Sequence, residues 1–243
     1  MTRLSRCPQH RGLEPCRPAP GARVTRRHLV KLGHRLHCAI DGYATGIVRL
    51  IGESYGQQTV QAAWKEFNIG QGRPFCGYDA NAELFYSWLF HKWAPTRERG
   101  HQVRDEAVYG IPPTRAYLDR GPPLVLNPLL RLYLEACLVT SPRFYEVLDC
   151  EPGQSFSARE VFAGVVCTVN EPLASTSLKR GDILYAHLIP IGHLTLMEAI
   201  SPRSFPPQSK RRLLDLCRER HAREDGGPEL RRVYFTLSTT ALR

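Results

Sequence analysis

No run of about 18 apolar residues occurs in this chain, so no membrane-crossing helix is predicted. The first residues, MTRLSRCPQHRG, are basic but have no apolar stretch behind them, so they do not read as a secretory leader. Without a leader the eight cysteines imply no disulfide framework, and a reducing cytoplasm is the expected compartment. Paired CxxC, HExxH and GxSxG patterns are absent, as is any internal repeat, which removes the commonest zinc, metalloprotease and serine-hydrolase signatures.

What is present suits a folded domain. The chain has 243 residues, 42% hydrophobic and 23% charged, a composition that can bury a core and excludes full disorder. The length admits one large domain or two small ones, at roughly 100–200 residues each. The formal charge is +10, and it is unevenly placed. Residues 1–35 carry a net +8, residues 36–206 a net −2, and residues 207–243 a net +4. Basic ends attract polyanions by releasing condensed counterions, and they also act as plain solvated tails. Arg23, Arg26 and Arg27 at one end, and Lys210, Arg211 and Arg212 at the other, are the candidate polyanion contacts.

Cysteine placement divides into two kinds. Cys38, Cys137 and Cys167 lie in apolar runs and are expected as small core residues. Cys7 and Cys16 lie in RCPQHRGLEPCR, too polar to bury them, with His10 between. Cys7, His10 and Cys16 supply three of the four ligands that tetrahedral zinc wants, and His28 is available as a fourth. Loose unliganded thiols are the competing reading.

Periodicity divides the chain into a basic irregular leader (1–25), a helical region (26–140), a small β unit (141–207) and C-terminal helices (208–243). Apolar positions at Leu29, Leu32, Leu36, Ile40, Tyr43, Ile47 and Leu50 predict one long amphipathic helix over about 26–55. A second helix follows through Val60, Ala63, Trp64 and Phe67, and ELFYSWLFHKW at 83–93 predicts a short, deeply packed aromatic one. Thr114 is a candidate cap for a helical turn reaching Leu118, and Asn127-Pro128 reads as a helix start. The pattern changes at Ser141-Pro142. Val161–Val169 is strand-like, and ILYAHLIPIG with HLTLMEAI, separated around Gly192, predicts a hairpin. Leu213, Leu214 and Cys217, then Leu230, Val233, Tyr234 and Leu237, predict two closing helices; the end of the chain soon after them suggests a truncated C-terminus. The expected fold is α+β: a helical N-terminal part packed with a small antiparallel β sheet or barrel and C-terminal helices.

Few residues suggest chemistry. His34, His37 and Cys38 share a helix at spacings that allow one metal, and Asp105-Glu106 with His101 form a candidate acid–base group. Cys76 is a loop thiol that a histidine such as His91 or His101 would have to activate. Gly70-Gln71-Gly72-Arg73 resembles the opening of a phosphate loop but lacks the Lys-Ser/Thr that follows one. His187, in YAHLIP, is expected as a core or edge histidine. Lys210, Arg211, Arg212, Arg218, Arg220 and Arg223 line a basic segment that would contact nucleic-acid phosphate or serve as a solubilising face.

The stretches LNPLLRLYLEACLVTSPRFYEVLDCEPGQSFSAREVFAG and VNEPLASTSLKRGDILYAHLIPIGHLTLMEAISPRSFPP resemble a group of uncharacterised bacterial proteins associated with the SEC-C zinc-chelating motif. The resemblance covers about 127–221 and extends to 41–67. It implies a zinc-held interaction tag, whose inner pair of cysteines corresponds to Cys7 and Cys16. Ser5 and Arg17 stand where the outer ligands belong, so the zinc site reads as vestigial. Composition and resemblance together predict a cytoplasmic binding or adaptor protein whose basic ends meet nucleic acid, the ribosome or an acidic protein. The alternative is a hydrolase acting on nucleic acid, with its site between the helical and β parts.

Overall fold

A computed structural model of the chain describes residues 26–69, 72, 74–120, 126–220 and 227–240. Helix α1 (Arg26–Ile40) stops where Asp41 N–H donates to the His37 carbonyl and Gly42 takes a left-handed φ of 76°. The predicted continuous helix is therefore split, because side-chain-bearing residues rarely adopt that backbone conformation. Helix α2 (Tyr43–Leu50) runs on into one π turn, Ile51–Tyr55, and Gly56 at φ 87° separates it from α3 (Gln57–Phe67).

Helix α4 (Ala82–His91) is the aromatic segment, and Leu84, Phe85, Leu89 and Phe90 are all buried. A 3₁₀ turn at Glu106–Val108 precedes α5 (Pro113–Arg120). In α6 (Pro128–Val139), Asn127 Oδ1 accepts from Leu129 N–H at 2.9 Å and Pro128 occupies the first turn, as its sequence predicts.

The β unit contains β1 (Arg143–Glu151), β2 (Ser155–Glu160), β3 (Val166–Val169), β4 (Ile183–Ile191) and β5 (Leu194–Ile200), with α7 (Pro172–Ser177) between β3 and β4. Val161–Val169 is not one strand. Phe162 and Ala163 N–H groups donate to the Glu160 carboxylate, which bends the chain before β3 begins. The strands close into a barrel in the order β1-β2-β3-β5-β4. All pairings are antiparallel except β3 with β5, where Val169 lies opposite Thr195. This order, with a helix joining β3 to β4, is that of the five-stranded OB barrel.

One wall of the barrel also forms the helical core. Along β4, Leu184, Ala186 and Leu188 face the barrel interior, while Ile183, Tyr185 and Ile189 belong to the core shared with the helices. Burial on both faces explains why ILYAHLIPI lacks the alternation of a half-exposed strand. Helices α8 (Ser209–Glu219) and α9 (Pro228–Thr240) close the structure, with Leu230, Val233, Tyr234 and Leu237 all buried. Each such side chain contributes about 1.5–3 kcal/mol of burial. The fold is α+β, and among the described residues no helix is long and apolar enough to cross a membrane.

Candidate functional site

Two polar features occupy the junction of helices and barrel. The first is a buried hub. Glu198, on β5, accepts hydrogen bonds from the Tyr43 hydroxyl (2.7 Å), from the Tyr133 hydroxyl and from His91 Nε2 (3.1 Å). The other nitrogen of His91, Nδ1, shares a hydrogen bond with Thr114 Oγ1 at 2.9 Å. Burial pushes the Glu198 carboxyl up, but the opposing contributions of His91, Tyr133 and Tyr43 hold it below the ordinary range overall. Both phenols are raised, first by burial and then by the carboxylate charge.

His187 lies beside this hub, its ring centroid 6.1 Å from that of His91. Thr140 donates its own proton to the Ala136 carbonyl (2.7 Å), so it accepts from His187 Nε2 (2.9 Å). That leaves His187 Nδ1 to accept from Ser87 Oγ at 2.7 Å. A serine hydroxyl on a neutral imidazole is the pairing of a nucleophile with its base. Here, however, Ser87 is 1% and His187 0% exposed, and neither lines the cleft described below. Burial, followed by the nearby His91, pushes the His187 pKa down to about 3. His91, Cys137 and Glu198 place ligand atoms within 4.8 Å of one another, close enough to hold a metal ion. Burial raises the Cys137 thiol well above its ordinary value, which opposes the proton loss a metal–thiolate bond requires.

The second feature is an open cleft of about 890 Å³ between α3, α4, the start of β1, β4 and α9. Five basic side chains, Lys65, Lys92, Arg99, Arg231 and Arg232, line it against one acid, Glu66. Glu66 is already engaged by Arg99 (2.7 Å), His101 Nε2 (2.7 Å) and Trp93 Nε1 (3.3 Å). Arg232 pairs with Glu229 at 2.8 Å. Among the described residues, Lys65, Lys92 and Arg231 have no carboxylate partner. The Arg231 guanidinium stacks over Trp88 at 4.3 Å and donates weakly to the Glu66 carbonyl at 3.4 Å. Its buried Nε has no hydrogen-bond partner among the described residues, and neither has Thr96 Oγ1 on the same cleft wall. Burial pulls the Arg231 pKa below its ordinary value.

The residues singled out from sequence are dispersed. Cys7, His10, Cys16 and Arg23 lie outside the described residues, as do Gly70, Gln71 and Arg73 of the phosphate-loop reading. Arg26 and Arg27 open α1. Lys210 is held by Glu146 at 2.8 Å and Arg212 by Glu219 at 3.2 Å; Arg211 is exposed beside a shallow groove. His34 meets Cys38 at 3.7 Å, but Cys38 is exposed rather than in the core, because it faces away from the stripe that buries Leu36.

Cys137 is fully buried, and Cys167 is half-buried against the barrel core. Asp105, Glu106 and His101 do not converge: Asp105 pairs with Arg120, Glu106 with Arg97 and His101 with Glu66. Cys76 contacts Asp79, while His91 is committed to the hub, so no thiol–imidazole pair forms there. His187 is a core histidine, as expected. Sequence reasoning missed Glu198, Lys92, Trp88 and Arg231. The available signals were a lone acid in the apolar strand LTLMEAI and a lysine beside the aromatic run of α4.

The chain matches no family model, no curated protein and no solved structure. The OB topology alone does not assign a ligand. No exposed aromatic lies on β2 or β3, so the usual base-stacking platform of such barrels is missing from these strands.

Proposed function

We propose that the protein is a binding protein for an anionic ligand, with the basic cleft as its receptor. The observation that carries this reading is Arg231, a half-buried guanidinium on the cleft wall with no carboxylate partner among the described residues and an unbonded Nε. An unpaired buried charge is costly, and a ligand phosphate or carboxylate supplies the missing partner bidentately. The hydrolase alternative is weaker, because the cleft's single acid is held by Arg99 and His101 while the ordered Ser, His and Glu groups are sealed behind it. The terminal phosphate of a nucleic acid and a small organic phosphate share the required chemistry. Basic ends would add unspecific attraction for the former.

Titration with phenyl phosphate, followed by tryptophan fluorescence, tests the cleft, since Trp88 and Trp93 both line it. Arg231→Met is expected to weaken binding about tenfold or more. Unchanged affinity in that variant overturns the assignment. RNA carrying a terminal phosphate, compared with RNA ending in a hydroxyl, separates the two sources. Deleting residues 1–25 tests the leader, whose role is refuted if RNA affinity and its salt dependence do not move.

The expectation of zinc applies to Cys7, His10 and Cys16, and His91, Cys137 and Glu198 lie close enough together to hold a metal ion as well. A metal assay on purified protein decides both, with Cys137→Ser and a Cys7→Ser, Cys16→Ser double variant as separate controls. The hydrogen-bonded hub satisfies Glu198 without an ion, so the expected zinc content from the buried site is nil.

A further inference from the structure

Helix α1 has two unlike faces. Leu36 is fully buried, and Leu32 and Ile40 pack against the same core, which fixes how the helix is turned. His34, His37, Cys38 and Asp41 lie on the other side, and all four are exposed. At 3.6 residues per turn they fall within an arc of about 100°. Asp41 follows the last residue of α1, but its N–H donates to the His37 carbonyl at 3.0 Å, so the helical turn carries on through it. The same four residues line a shallow groove where α1 gives way to α2. None of them lines the anion cleft, and none belongs to the buried hub.

One pair on this face already has the spacing of a chelate. His34 Nε2 and Cys38 Sγ, one helical turn apart, are 3.7 Å from each other. A nitrogen and a sulfur on one tetrahedral zinc, bound at about 2.0 Å and 2.3 Å, stand about 3.5 Å apart. The pair therefore needs only a slight closing to share an ion. Its neighbours complete a consistent donor set, with one thiol, two imidazoles and one carboxylate around the groove. Nitrogen and sulfur donors suit zinc and its borderline-soft relatives, whereas calcium and magnesium call for oxygen alone.

We propose that His34 and Cys38 chelate a divalent ion of the zinc class on the exposed face of α1, with His37 and Asp41 as the further donors. On binding, the Cys38 thiol gives its proton to solvent. The thiolate and the neutral His34 imidazole each supply a lone pair, and no electron changes hands. The ion would clamp the last turns of α1 just ahead of the break at Gly42. This site is independent of the anion-binding reading.

The test is titration of the reduced full-length chain with cobalt(II), followed by the thiolate-to-cobalt charge-transfer band and its displacement by zinc. The band is expected to persist in Cys137→Ser and in the Cys7→Ser, Cys16→Ser double variant, and to vanish in Cys38→Ser. His34→Gln should weaken cobalt binding about tenfold or more, since even groups that only support a ligand cost that much when lost. Both α1 side chains are exposed, so these variants should keep the circular dichroism of the parent. Absence of the band, its survival in Cys38→Ser, or its loss in the double variant each overturns the proposal. Undiminished affinity in His34→Gln overturns it as well, because it leaves a single thiol rather than a chelate. Phenyl phosphate binding is expected to be unchanged in Cys38→Ser and His34→Gln, which keeps the fate of this site separate from that of the cleft.

Discussion

Glu198 shows how much one residue can hold together. Its carboxylate collects donors from α2, α4 and α6 on a strand of the barrel, so it joins the two halves of the fold. Glu198→Ala would leave two phenols and an imidazole without their acceptor, and a loss of about 3–5 kcal/mol in urea unfolding is expected. Glu198→Gln keeps an acceptor oxygen and should cost less. The two buried ionisable groups here also make stability depend on pH in the same direction. The carboxyl of Glu198 is depressed in the fold, so its contribution is present above the unfolded carboxylate range and is lost as pH falls through the folded value.

His187 is depressed too, from 6.5 to about 3, so the unfolded chain takes up a proton first. Its contribution is complete above about pH 6.5 and declines steadily toward pH 3. Replacing His187 with Gln should flatten the dependence of unfolding free energy between those pH values. A slope unchanged in that variant would show that His187 is not the titrating group.

At the level of elements, local signals and their overrides can be compared directly. The Asn127-Pro128 start of α6 is legible because the capping oxygen and the donor it satisfies, Leu129 N–H, are two residues apart. Asn127→Ala is expected to lower stability by about 1 kcal/mol, measured by thermal or urea unfolding. The break after α1 is less legible, since a glycine in a periodic apolar pattern is compatible with a weakened but continuous helix. What decides it is the left-handed conformation at Gly42, where an added Cβ meets nothing within 4 Å. The cost of Gly42→Ala is therefore conformational alone, about 1 kcal/mol. The closing helices were readable from Leu213 and Cys217 and from Leu230, Val233, Tyr234 and Leu237, because a single buried stripe dictates their period. The basic character of α8 was readable as well. Its pairing was not: Lys210 finds Glu146 on β1, far away in sequence.

Across the whole molecule, the +10 charge does not act as one field. Part of the basic C-terminal helix is neutralised by ion pairs, while the described cleft concentrates five basic groups at the junction of helices and barrel. Arg231 contributes to that cleft at a cost to the empty protein. Ligand-free Arg231→Met should therefore melt at or above the temperature of the parent, while the upward shift that phenyl phosphate gives the parent disappears. Differential scanning fluorimetry reads both. A variant that melts lower yet keeps the ligand shift would place the anion elsewhere.

Fold class, most element positions and the uneven charge were determined by the sequence itself, since hydrophobic period, helix caps and local composition act over a few neighbouring residues. The barrel's closure and its parallel β3–β5 pairing required the tertiary structure, because a strand's period does not name its partner. The same holds for the site. His91, Lys92 and Trp93 are consecutive in sequence, yet His91 joins the hub, Lys92 enters the cleft and Trp93 binds Glu66. Only the docking of α9 brings Arg231 over Trp88, and only that approach makes a buried charge in need of an anion out of what reads locally as one more basic residue.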